Sequence, residues 1–92
     1  MITYSNMQVT HMNTIQLKIL DKLHFHGCWH KGHMLTQTIT DGIPRDKHGE
    51  VKDELKTLVK QGYLIKYPTQ NGTAYYLNPL RTREIKDILG LL

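Results

Sequence analysis

The residues best able to do chemistry lie together in the run His24-Phe25-His26-Gly27-Cys28-Trp29-His30-Lys31-Gly32-His33. His24, His26, Cys28, His30 and His33 make five possible metal ligands in ten residues, and neutral imidazole with a thiolate suits zinc. The spacing argues against a dedicated site. There is no Cys-x-x-Cys, and no second ligand pair beyond the isolated His48. On a helix, His24 and His26 would point apart. These read instead as surface and connector histidines, with His33 able to cap a following helix, so neither a metal nor another cofactor is expected. Cys28 sits near His26 and His30, yet a nucleophile needs a base held across a cleft and a third group to orient it. With no Gly-rich phosphate loop and no carboxylate pair of recognisable role, the chain is not expected to be an enzyme.

A second set of candidates is defined by charge. On a helix over residues 45–61, at about 100° per residue, Arg45, Lys52 and Lys56 cluster on one flank. Asp46, Glu50, Asp53 and Glu54 gather on the other. One reading turns the basic flank to nucleic-acid phosphates and the acidic flank to solvent. The other is a solvated helix laced with weak Lys–Glu pairs. Under the first, Arg45, Lys47, His48 and Lys52 approach the groove of a duplex, while Gln37, Thr38 and Lys56 contact its backbone. Tyr63, Tyr67, Tyr75 and Tyr76 crowd the segment that follows. Packing is expected of Tyr63, Tyr67 and Tyr75; Tyr76, expected to face outward, is the candidate for a contact.

The elements that must position these residues follow from periodicity. Residues 1–12 show no sustained apolar period and read as a flexible arm; residues 13–92 form the one folded domain. Asn13 with Gln16 makes a capping box for a first helix carrying Ile15, Ile19, Leu20 and Leu23 and broken at Gly27. A short second helix is expected over residues 33–40, burying Leu35 and Ile39. Asp41-Gly42-Ile43-Pro44 is a turn by its residue types. The third helix buries Val51, Leu55, Leu58 and Val59 and closes at Gly62. Two β-prone runs, residues 63–67 and 73–77, then flank Gln70-Asn71-Gly72. If Ile65 and Leu77 both face inward they lie opposite one another, which requires a three-residue loop with Gly72 at positive φ and Thr69 paired with Thr73. Asn78-Pro79 opens a C-terminal helix with Ile85, Ile88, Leu89 and Leu92.

Composition sets the bounds. Ninety-two residues, 39% hydrophobic and 22% charged, suit one small globular domain. No apolar run approaches the ~20 residues that span a bilayer, and residues 1–13 lack the apolar stretch of a signal peptide. The single cysteine excludes an internal disulfide, so a cytoplasmic setting is expected. The net charge of +4 admits an anionic partner, but residues 67–78 carry no charge at all.

The run Gly49-Glu50-Val51-Lys52, Leu55, Leu58-Val59-Lys60-Gln61-Gly62-Tyr63-Leu64-Ile65 resembles the recognition helix and first wing strand of winged helix-turn-helix proteins. MarR-like and ArsR-like regulators share this junction of leucine, basic residue, glycine and apolar strand. With Leu77-Asn78-Pro79 and the connector from Trp29 to His33, the chain is similar to small archaeal winged-helix proteins of unassigned function, over residues 14–92. The resemblance implies an α+β fold of three helices, a two-stranded antiparallel wing and a C-terminal helix. It implies double-stranded DNA as partner and a role as transcriptional regulator or DNA accessory factor. Such regulators usually carry positive charge in the wing, and this sequence departs from them there. The alternatives are a protein-interaction module using the uncharged, tyrosine-bearing wing, and a metal-responsive sensor using the His/Cys connector. The apolar C-terminal helix is expected to form a homodimer contact; no membrane partner is expected.

Overall fold

The computed structural model describes residues 12–91. They form a mixed α+β unit: α1 (Thr14–Phe25), β1 (Met34–Leu35), α2 (Thr36–Thr40), α3 (His48–Lys60), β2 (Leu64–Thr69), β3 (Gly72–Leu77) and α4 (Thr82–Ile88). Short 3-10 turns at Arg45–Lys47 and Pro79–Arg81 lead into α3 and α4. The arm expected over residues 1–12 lies outside the described residues except for Met12, which packs against the core. No helix among the described residues is long and apolar enough to cross a membrane.

The first helix starts as its residues dictate. The Asn13 side chain accepts from the Gln16 N–H at 2.8 Å, and the Gln16 side chain accepts from the Asn13 N–H at 3.0 Å. Ile19, Leu20 and Leu23 then enter a core shared with Ile39, Val51, Leu55, Leu58, Leu64, Leu77 and Ile85. Burial of such side chains is the main source of stability here, at roughly 1.5–3 kcal/mol each.

The sheet departs from expectation in two ways. It has three antiparallel strands, ordered β1-β3-β2, rather than two. Met34 pairs with Tyr75 and Leu35 with Ala74, so β1 covers the free edge of β3 where a helical start was expected. Helix α2 therefore begins at Thr36, and His33 does not cap it. Met34 is buried and Leu35 only half-buried.

The hairpin register is also one residue off the expected one. Leu64, not Ile65, lies opposite Leu77; Ile65 pairs with Tyr76, and Thr69 with Gly72 across a two-residue Gln70-Asn71 loop. Gly72 does take positive φ, 123°. The cause lies at the open end of the hairpin. Helix α3 closes with Tyr63 N–H on the Leu58 carbonyl (2.9 Å) and Gly62 N–H on the Val59 carbonyl (3.0 Å), with Gly62 at φ 85°. Asn78 then clamps that closure. Its N–H donates to the Tyr63 carbonyl at 3.0 Å, and its Nδ2 donates to the Gly62 carbonyl at 2.8 Å. Holding 63 against 78 sets every later pair. A one-residue slip exchanges the two faces of a strand, so Tyr67, expected to pack inward, lies on the outer face and is 47% exposed.

Helix α3 begins three residues later than expected, because Arg45–Lys47 winds as a 3-10 turn after Pro44.

Candidate nucleic-acid interface

The turn between α2 and α3 is held by two side chains. The Lys22 ammonium donates to the carbonyls of Thr38 (2.7 Å), Asp41 (3.2 Å) and Ile39 (3.4 Å). The Thr38 carbonyl also accepts from the Asp41 N–H at 3.2 Å, so Lys22 reinforces the turn that closes α2. From the other side, His48 Nε2–H donates to the Ile43 carbonyl at 2.8 Å. A carbonyl acceptor fixes the tautomer, with the proton on Nε2. His48 thus acts chiefly to fasten the turn to the start of α3.

This bracing shapes an open groove of about 620 Å³ between α2, the turn, the first turns of α3 and the hairpin tip. Of the sequence candidates, Gln37, Arg45, His48 and Lys52 line it, joined by Thr36, Asn71 and Thr73. Thr36 Oγ1–H donates to the Thr73 carbonyl at 3.0 Å, tying α2 to the hairpin. Arg45 and Lys52 are exposed and form no salt bridge among the described residues. Asp41 is the one carboxylate on the lining. The arrangement can take a polyanion: two cations and two amide side chains line one open trough.

The other candidates lie elsewhere. Thr38 is exposed outside the lining, and its carbonyl is taken by Lys22. Lys47 lies 3.6 Å from Glu50 in an exposed pair and lines a different cleft. Lys56 is exposed one turn beyond Lys52, past the groove. Tyr76 is half-buried on the outer sheet face, where its ring meets His30 at 5.7 Å. The acidic flank is not wholly solvated. Glu54 accepts from Gln16 Nε2 at 2.8 Å and from Asn13 Nδ2 at 3.0 Å, so it ties the start of α1 to α3. The hairpin-tip residues Asn71 and Thr73 join the groove, and only the Asn71-Gly72 turn signals them in the sequence.

The histidine-rich segment does not converge. Among the described residues no three His, Cys, Asp or Glu side chains are grouped to hold a metal. His24 packs edge-on against Trp29, and His26 against Phe25. Cys28 is 3% exposed, and burial raises its thiol pKa above the ordinary value, which keeps the nucleophilic thiolate scarce. Comparison of the chain with protein-family models, curated proteins and solved structures found no match.

Proposed function

We propose that this is a winged helix-turn-helix protein that binds double-stranded DNA, acting as a transcriptional regulator or accessory factor in the cytoplasm. In this reading α2 and α3 are the helix-turn-helix, β2 and β3 are the wing, and β1 is the short strand that closes the sheet. The observation that carries it is the pair Arg45 and Lys52, exposed and without salt-bridge partners among the described residues, on a trough that also holds Gln37 and Asn71. Phosphates neutralised by Arg and Lys supply most of non-specific DNA affinity, and Gln and Asn amides suit base edges. The neutral wing tip then contributes shape and hydrogen bonds but no charge.

An electrophoretic shift on random-sequence duplex in low salt tests the reading. The wild-type chain should retard the duplex, and replacing Arg45 and Lys52 together by Ala should weaken binding at least tenfold, roughly the loss of two phosphate contacts. An absent shift, or one indifferent to the double substitution, would remove DNA as the partner of this groove.

A further inference from the structure

Four rings that the groove does not use share the outer face of the sheet. The register puts Ile65, Tyr67, Ala74 and Tyr76 on that face, away from Leu64, Tyr75 and Leu77. Tyr67 and Tyr76 are diagonal neighbours there, a relation that usually places side chains ~7–8 Å apart. The connector adds a ring to each: His33 tilts against Tyr67 at 4.9 Å and His30 stands edge-on to Tyr76 at 5.7 Å. His30 holds its place at φ 87°, the one positive-φ residue other than glycine among the described residues. Tyr67, His30 and His33 are exposed and Tyr76 is half-buried. None of the four lines the groove.

The segments that carry these rings have charge of one sign. Residues 22–40 and 65–78 contain no Asp or Glu, and the exposed Lys31 directly follows His30; Lys66, opposite Tyr75, lies on the other face. Open rings and imidazoles on segments that carry lysine and no carboxylate are complementary to a polyanion that bears flat aromatic groups. We propose that this face binds single-stranded nucleic acid by stacking unpaired bases on Tyr67 and Tyr76, with His33 and His30 holding those rings in place. Lys31, exposed and next to His30 in the chain, is the cation offered to the phosphates. A duplex does not offer this interaction, because its base faces are already stacked. The proposal stands on residues separate from Arg45 and Lys52.

Fluorescence anisotropy with labelled oligodeoxythymidine and oligouridine, each about 15 nucleotides long to exceed the usual site size, tests it. Both strands lack the secondary structure that would hide their bases, and the one bound more tightly tells DNA from RNA. Tyr67→Ala should weaken binding of that strand about 5- to 150-fold, the loss of one base–ring stack. Tyr67→Phe, which keeps the ring, should restore wild-type affinity within about twofold. Tyr67→Ala should leave duplex binding unchanged, and it should cost the same factor when Arg45 and Lys52 are already Ala. Matching thermal midpoints for the Ala and Phe variants would show that the fold is intact. Failure of both strands to bind, equal losses for Tyr67→Ala and Tyr67→Phe, or an equal loss on duplex would each overturn the proposal.

Discussion

Lys22 shows how a single side chain can hold a candidate site that it does not join. Its stem leaves α1 and its ammonium ends on three carbonyls at the close of α2. It satisfies them by charge-assisted bonds and complements the negative end of that helix. Replacing Lys22 by Met keeps the stem and removes the three donors. We expect a loss of about 1–2 kcal/mol, read as a thermal midpoint lower by roughly 5–10 °C. A midpoint within a degree of wild type would mean that water serves those carbonyls equally well. In sequence, Lys22 is one more cation on the polar side of α1, and nothing local marks its partners sixteen to nineteen residues away. Glu54 is a similar case. Its spacing puts it on the acidic flank, while its role comes from Asn13 and Gln16 across the core. The Asn13–Gln16 box itself was legible, because both partners lie within one turn.

At the scale of elements, the helices and the hairpin were legible from periodicity and turn residues, whereas the register and β1 were not. A two-residue strand has no period to detect. The register is decided by Asn78 reaching back to Gly62 and Tyr63, a contact between chain segments that the turn residues do not encode. That same junction binds α4 to the hairpin. Arg81 donates to both Glu84 carboxylate oxygens, at 2.9 and 2.8 Å, and to the Gln61 carbonyl, and lies 4.1 Å over the Tyr63 ring. Tyr63 donates its hydroxyl proton to Glu84 at 2.9 Å. Burial, and then the bond and charge of Glu84, raise the Tyr63 pKa above its ordinary value. The folded state therefore holds this proton more tightly than the unfolded chain. That stabilisation is complete below about pH 10, where the unfolded tyrosine titrates, and is lost as pH rises through the higher folded value. Urea unfolding between about pH 9 and 11 should show wild-type stability falling more steeply than that of Tyr63→Phe. Parallel curves would mean that the hydroxyl titrates alike in both states.

For the whole molecule, apolar side chains near α4 suggest an assembly. Ile85 is fully buried in the chain's own core, and Ile88 and Leu89 are half-buried. Leu80 is 93% exposed and Leu91 is 51% exposed, while Leu92 lies outside the described residues. We propose a two-fold dimer through this surface, which would set two grooves on one assembly. Sedimentation should show mass rising with concentration, and a monomer mass at hundreds of micromolar would contradict the dimer. In the proposed function, Arg45 and Lys52 make this groove a DNA-binding surface. The most direct test is the salt dependence of duplex affinity, because the slope counts phosphates. With Arg45, Lys52 and Lys56 as the contacts, log K should fall by about 2.7 per decade of salt per domain, at ~0.9 per phosphate. Replacing Arg45 and Lys52 by Ala should lower both the affinity and the slope, leaving about 0.9 per decade. A double variant that keeps the wild-type affinity and slope would mean that the groove does not bind duplex phosphates.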